Sequence, residues 1–311
     1  MPSLKPKQVA ALLNRSAGTI AREGEAPVRA MVIAAFRAHG IAADLEILPG
    51  AELRSAAERA MKQVLDRQLD AVIVGGGDGS IRSVASVLAG TGAPLGILPL
   101  GTLNHFAKDL GIPTTVEGAV RVIATETARS VDLGEVNGQI FINNSSIGVY
   151  PYMVFERERQ RGRKRRSKWA RMTLAGLRVL RNLPLFRLRI QVAGVSELVR
   201  SPCLFVGNNE YQLGLPSFGR RGRLDRGELC LYAAKAQNRF SLLRLGCRCI
   251  LGSVDQERDL RILKAGTAEI GARRHWLLVA TDGEIATMRS PLQFRSRPGA
   301  LRVFAPAPGN R

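Results

Sequence analysis

The sequence predicts an α/β chain in two parts: a first domain with a mainly parallel sheet flanked by helices, then a C-terminal β-sandwich domain. Three observations predict it. Up to about residue 130, short apolar runs alternate with helical patterns, the grammar of a parallel sheet. Beyond it, period-two alternation and tight-turn pairs take over. The 311 residues, 45% of them hydrophobic, can also fill two cores. The expected domains are 1–131 and 132–301, with the C-terminal tail from about 302 to 311 free to return to the first.

The elements follow in order. "QVAALLN" (8–14) reads as a short buried strand running into "RSAGT". "APVRAMVIAAFRAHG" (26–40) reads as a helix, with Pro27 near its first turn and Gly40 past its end. "GAELRSAAERAMKQVLDRQ" (50–68) is a second helix and "AVIV" (71–74) a buried strand. Ile81, Val84, Ala85 and Leu88 recur at helical spacing, and Gly90 closes that helix. "PLGILPL" (94–100) is a strand and "TTVEGAVRVIAT" (114–125) a helix. "SVDLGEVNGQIFINNSSIG" then predicts two strands around the turn Asn137-Gly138. In "LFRLRIQVAG" (185–194), Phe186, Leu188, Ile190 and Val192 alternate with Arg187, Arg189 and Gln191, as in a half-buried antiparallel strand. "SPCLFVGNN", "GELCLYAAK", "HWLLVATDGE" and "LQFRSRPGALRVFAP" read as further strands.

The net charge is +20, with 46 Lys and Arg against 26 Asp and Glu. Such an excess points to phosphate-rich ligands, nucleic acid or an anionic membrane. Aromatic residues make up 5%, poor material for stacking bases, so nucleic acid is disfavoured. Cys203, Cys230, Cys247 and Cys249 show no zinc spacing, and the three histidines join no Cys/His cluster. No apolar run approaches the roughly 18 residues of a membrane span, and the first residues lack a signal-peptide pattern. The expectation is a cytoplasmic protein with peripheral contact at the inner membrane face.

"VGGGDGSIRSV" (74–84) carries the first chemistry. As a dinucleotide fingerprint it fails at Ser80, which stands where a third glycine is needed; as a P-loop it lacks the Gly-Lys-Ser/Thr. A third reading is a phosphate cradle of glycine N–H groups and a helix N-terminus. Gly76, Gly77 and Gly79 permit close backbone approach. Asp78 repels a bare phosphate but suits one reached through Mg²⁺. The plain alternative is a tight strand-to-helix turn with Asp78 as N-cap. Two more polar turns follow strands, at "NRSAG" (14–18) and "LGTLNHF" (100–106), and strand carboxyl ends are where open α/β sheets bind ligands.

These segments together resemble the diacylglycerol kinase catalytic-domain family, in its bacterial soluble lipid-kinase branch related to sphingosine kinases. "LLNRSAG" resembles its Asn-Pro-x-Ser-Gly opening, "GGDGS" its Gly-Gly-Asp-Gly-Thr motif, and "PLGTLNHFAKDLGIP" its Gly-Thr-x-Asn-Asp-Phe-Ala-Arg segment. "RLDRGELCLY" resembles its Leu-Asp-Asp-Gly-x-Leu stretch and "TDGE" its late Asp-Gly-Glu. The resemblance implies an ATP-binding first domain and a lipid-substrate second domain. Asn14, Ser16, Gly18, Gly76, Gly77, Asp78, Gly79, Ser80, Thr102 and Asn104 would bind ATP, with Asp78 acting on Mg-ATP. Glu284 would be the general base toward a lipid hydroxyl, with Asp282 and His105 on the substrate side. In-line phosphoryl transfer needs those parts: held phosphates, a metal, and a base at the attacking oxygen.

Departures from the pattern are specific. Arg15 replaces proline, Ser80 threonine, His105 aspartate and Lys108 arginine. A structural Mg²⁺ site implied at Arg223, Arg226 and Glu228 is doubtful, because Arg226 stands at the aspartate position and a guanidinium cannot ligate Mg²⁺. Glu284 also has a plain alternative, an exposed residue after an Asp-Gly turn. Residues 156–181, "ERERQRGRKRRSKWARMTLAGLRVLR", read as a basic amphipathic helix with Trp169 as aromatic anchor, suited to anionic lipid or simply to a solvated face. Two other functions stay open: a non-enzymatic membrane- or polyanion-binding protein retaining the fold, and an NAD-kinase-type small-molecule kinase, superficially suggested by "NNE" (208–210). The sequence sets no oligomeric state.

Overall fold

A computed structural model describes residues 5–149, 151, 185–192, 194–213, 219–236, 238–250 and 255–307. The basic segment 156–181 lies outside the described residues. The chain divides into two compact units: Met1–Leu133 with Arg223–Gly227 and Arg297–Arg311, and Gly134–Gly222 with Glu228–Ser296.

In the first unit, β1 (Gln8–Asn14), β2 (Ala42–Leu48), β3 (Ala71–Gly76) and β4 (Pro94–Pro99) pair in the parallel order β2-β1-β3-β4. Val9–Leu13 and Ala71–Val74 are buried along their whole length, as strands covered on both faces must be. Each such Val, Leu or Ile contributes about 1.5–3 kcal/mol on burial. Two helix pairs supply the cover. Helices α3 (Leu53–Leu65) and α4 (Asp78–Leu88) pack on each other and on β3; α2 (Glu25–Ala38) and α6 (Val116–Thr125) pack on each other and on β2 and β4 respectively. The α4 side chains picked out by helical spacing, Ile81, Val84, Ala85 and Leu88, are at most 1% exposed.

Local signals place the helix ends. Thr115 caps α6, its hydroxyl accepting from the Gly118 N–H at 3.2 Å. The predicted helix at 50–68 begins as a 3₁₀ turn, Gly50–Glu52, and stops at Leu65. Strand β2 was not predicted; "AADLEIL" carries two acids and exposes Ala42 and Asp44 on a sheet edge, so its pattern is weak. Late in the chain, Arg302 and Val303 pair in parallel with Pro94 and Leu95 of β4.

The second unit is antiparallel. β7 (Asn144–Gly148), β10 (Cys203–Asn208), β11 (Leu229–Ala234), β12 (Leu260–Ala265), β14 (Trp276–Thr281) and β15 (Glu284–Arg289) form one sheet in the order β12-β11-β10-β7-β14-β15. Strands β8 (Phe186–Val192), β9 (Val195–Ser201), β13 (Thr267–Ala272) and the start of β16 (Leu292–Phe304) form another. Leu188, Ile190, Ile270 and Phe294 meet Ile147, Val206, Leu231 and Val279 in one core. The β8 alternation holds: Leu188 and Ile190 are 1% exposed, while Arg187, Arg189 and Gln191 face outward. Asn137-Gly138 makes the predicted hairpin, with φ of 46° and 82°, but the segment yields three strands rather than two: β5 (Ala128–Val136), β6 (Gln139–Phe141) and β7.

Candidate functional site

The parallel register aligns three strand ends at one edge of the first unit. Leu13 sits beside Gly75, and Gly76 beside Pro99. Asn14, the last residue of β1, spans the edge: its Nδ2 donates to Ser80 Oγ at 2.8 Å, and its Oδ1 accepts the Ser16 N–H at 2.9 Å. A Cβ on Gly76 would stand 2.5 Å from that same Ser80 Oγ, so only glycine leaves the hydroxyl its place. The Leu100 and Gly101 N–H groups both donate to the Gly76 carbonyl at 3.2 Å. Gly18 lies against Thr102, whose Oγ1 would be 3.3 Å from a Cβ there.

Asn104 closes the second turn from inside. It is 5% exposed, with φ +51°. Its Oδ1 accepts from the Gly101 N–H at 3.1 Å, and its Nδ2 donates to the carbonyls of Pro99 (3.1 Å) and Gly101 (2.9 Å). These bonds hold the turn that carries Thr102.

Asp78 does something the sequence did not reveal. Gly77 occupies the N-cap of α4, and Asp78 is the first helical residue. Its carboxylate reaches across to the next turn, accepting the N–H groups of His105 (3.1 Å) and Phe106 (3.0 Å) at the start of the short helix α5 (His105–Asp109). The two glycine turns are thereby tied to each other. His105 is exposed, and its observed bond is made by its backbone. Gly79 and Ser80 complete the first turn of α4, whose leading N–H groups have no intrahelical acceptor. Arg15 leaves the cradle: its Nε pairs with Glu25 at 2.7 Å. Asn14, Gly76, Gly77, Asp78, Ser80, Thr102 and Asn104 therefore converge in one unit, a glycine-floored cradle with a carboxylate at its side. That donor set fits a phosphate chain carrying a hard divalent cation.

The loop at 223–227 fits a metal poorly. The Arg223 guanidinium grips Asp225 with two hydrogen bonds, at 2.8 and 3.0 Å. The hydrogen bond first, then the charge, raises the Arg223 pKa and lowers that of Asp225. Asp132 holds the loop instead, accepting the N–H of Gly227 at 2.6 Å and of Gly299 at 2.8 Å. Among the described residues no group of three metal-ligating side chains gathers anywhere. Glu228, next along the chain, has one carboxylate oxygen buried without a hydrogen-bond partner among the described residues.

In the second unit, Thr281-Asp282-Gly283-Glu284 forms a two-residue hairpin turn, with φ of 49° at Asp282 and 84° at Gly283. Asp282 anchors it. Its carboxylate accepts the N–H groups of Ile142 (2.8 Å), Asn143 (2.8 Å) and Asn144 (3.1 Å). Expected on the substrate side, Asp282 is thus seen gripping backbone. Glu284 follows as an exposed side chain at the first position of β15. Beneath the same loop lies Arg221, fully buried, which no sequence pattern distinguished from its basic neighbours. It donates to the carbonyls of Ile142 (2.7 Å) and Asn208 (3.0 Å) and to Asn143 Oδ1 (2.6 Å), with its guanidinium carbon 5.4 Å from the Tyr211 ring centre. "NNE" is likewise occupied: Asn208 donates to the Ile142 carbonyl at 3.0 Å, and Glu210 pairs with Lys264 at 2.6 Å. Burial pushes the nearby Tyr232 hydroxyl well up and the Cys230 thiol to about 11, so neither supplies an anion near neutral pH.

Comparison with known proteins gives consistent results. Residues 8–136 match the family described as diacylglycerol kinase catalytic domain, and residues 154–305 the YegS C-terminal NAD kinase beta sandwich-like domain. A diacylglycerol kinase of Mycobacterium tuberculosis is 30% identical over 248 residues, covering 77% of this chain and 78% of that protein. A Pseudomonas aeruginosa protein named "Probable lipid kinase YegS-like" is 46% identical over 94 residues; the match spans 30% of this chain and only 31% of that relative's length. A crystal structure of a diacylglycerol kinase from Bacillus anthracis superposes with a TM-score of 0.69 at 20% identity, covering 97% of this chain and 98% of that one.

Proposed function

The chain belongs to the diacylglycerol kinase family, and from that premise we propose that it is an ATP-dependent lipid kinase, transferring the γ-phosphoryl group to a hydroxyl of a diacylglycerol-like lipid. The observation that carries the reading is the cradle of the first unit: three strand-end turns with a Gly76 floor too close to Ser80 for any Cβ. Asn14, Ser16, Gly18, Gly76, Gly77, Gly79, Ser80, Thr102 and Asn104 would hold the nucleotide. Mg²⁺, when bound with ATP, would neutralise the phosphate charge that transfer concentrates. Asp78 would face that ion while fixing the α5 turn beside it. Glu284 would take the proton from the lipid hydroxyl as that oxygen attacks the γ-phosphorus. Asp282 and Arg221 would hold the turn that presents it, and exposed His105 would touch lipid or nucleotide.

Gly76→Ala is the direct probe of the cradle. The added methyl displaces Ser80 and with it the Asn14 bond, so Mg-ATP affinity measured by calorimetry should fall by roughly tenfold or more, the loss of one good hydrogen bond to a charged group. Unchanged affinity would remove Gly76 from the nucleotide site. No helix among the described residues is long and apolar enough to cross a membrane. We further propose that residues 156–181 bring the enzyme to anionic lipid, each cation near the surface contributing about 1 kcal/mol. Flotation with vesicles rich in phosphatidylglycerol, and none with phosphatidylcholine vesicles, is the expected result; equal behaviour in both would remove this surface role.

A further inference from the structure

A row of buried hydroxyls lies beside Glu284 in the sheet. Thr281 of β14 pairs in register with Glu284 of β15 on one side and with Ser145 of β7 on the other. Register partners in an antiparallel sheet project to the same face, so the three form a line across the sheet. That face is the core face: Glu284 shares strand parity with Ala286 and Met288, and Ser145 with Ile147, all of which pack in the core. The row continues from Ser145 to Val206 and Leu231, which are apolar. Ser145 is 0% exposed and Thr281 2% exposed, yet among the described residues neither hydroxyl has a hydrogen-bond partner.

A hydroxyl buried without a partner is a standing cost, and valine or alanine would fill either place without it. Two such hydroxyls as register partners, next to the carboxylate proposed as base, form an unfinished polar set at the end of an apolar row. Cross-strand Cβ atoms stand about 4.5–5.5 Å apart, which leaves room for one oxygen to bond both hydroxyls. We propose that Ser145 and Thr281 are an oxygen-holding pair: together they bind one hydroxylic oxygen, of a water or of the acceptor lipid, and position it against Glu284. The orphan Ser146 hydroxyl projects to the opposite face of β7 and takes no part.

The inference rests on the reading of Glu284 as base, and its test separates the two. Ser145→Ala, Thr281→Val, Thr281→Ser and Glu284→Gln are compared with the parent protein, using mixed micelles of dioleoylglycerol and Mg-ATP. Ser145→Ala and Thr281→Val should each lose about tenfold or more in turnover efficiency, less than the roughly 10²- to 10⁴-fold of the proton transfer they assist, and Thr281→Ser should recover most of it. A fall in kcat with the lipid KM unchanged assigns the oxygen to water; a rise in lipid KM assigns it to the acceptor. A second readout needs no activity: because the hydroxyls bond nothing in the fold, both variants should melt within about 2–4 °C of the parent, or above it. Hydroxyl variants that match the parent while Glu284→Gln is inactive overturn the pair and leave the base standing. Loss in the hydroxyl variants with an active Glu284→Gln supports the pair and overturns the base. A large fall in melting temperature in both variants shows the hydroxyls to be held by the fold and overturns the pair.

Discussion

Glu284→Gln should fold like the parent protein, bind Mg-ATP with unchanged affinity, and lose lipid phosphorylation by a factor of at least about 100. The turn that carries residue 284 is made by other groups. Asp282 and Gly283 adopt the left-handed backbone, and three amides of the 142–144 loop clamp the Asp282 carboxylate. The side chain at 284 is exposed, so an amide of the same shape disturbs no packing. What it removes is the ability to accept a proton, a contribution typically worth about 10²- to 10⁴-fold. Steady-state phosphorylation with saturating ATP, beside calorimetric ATP binding, reads both halves. Turnover near that of the parent would return Glu284 to the role of an exposed hairpin residue.

The second large effect is on stability. Arg221→Met should lower the melting temperature by roughly 10 °C, and Arg221→Lys by less. The guanidinium is fully buried and forked, serving two carbonyls and an amide oxygen at once. Removing it takes one buried donor from each of the Ile142 and Asn208 carbonyls and from Asn143 Oδ1, with Asn208 Nδ2 still donating to the Ile142 carbonyl. Breaking such a buried charged network costs about 3–5 kcal/mol, and about 2–4 °C accompanies each kcal/mol in a chain of this class. Lysine keeps the charge but cannot hold three acceptors in one plane. Because the same 142–144 segment grips Asp282, activity at 20 °C should fall as well, even in the fraction still folded. A melting point within a few degrees of the parent would show the network to be dispensable.

The parallel sheet was legible because its chemistry is local. "VAALL" and "AVIV" are continuous apolar runs of strand length, and α4 shows its buried face at helical spacing within eight residues. What was hidden was non-local or ambiguous. Strand β2 lies at a sheet edge and mixes acids with apolar residues. The helix Arg239–Ile250 was missed because arginines interrupt its apolar spacing, and β9, β12, β13 and β15 were not singled out.

The site divides in the same way. The glycine turns and the Asp-Gly-Glu hairpin stand out as short strings, and their resemblance to a family assigned roles that spacing alone did not. The holding interactions do not stand out. Asp78 bonds amides 27 and 28 residues away, and Asp282 bonds amides 138 to 140 residues away. Arg221 sits in "GRRGRLDRG", where nothing local marks one arginine as buried and the others as exposed. Arg226 was legible as a departure, and the Arg223–Asp225 clasp beside it supplies the physical detail: the carboxylate one residue earlier is already engaged by a guanidinium.

The central claim is that γ-phosphate passes from ATP to a lipid hydroxyl. The most direct measurement incubates the protein with [γ-³²P]ATP, Mg²⁺ and bacterial lipid extract, then follows label into the chloroform phase. The account predicts a labelled lipid whose formation requires both Asp78 and Glu284, lost in Asp78→Asn and Glu284→Gln. Label confined to the aqueous phase across diacylglycerol, monoacylglycerol, phosphatidylglycerol, sphingoid base and ceramide would contradict it.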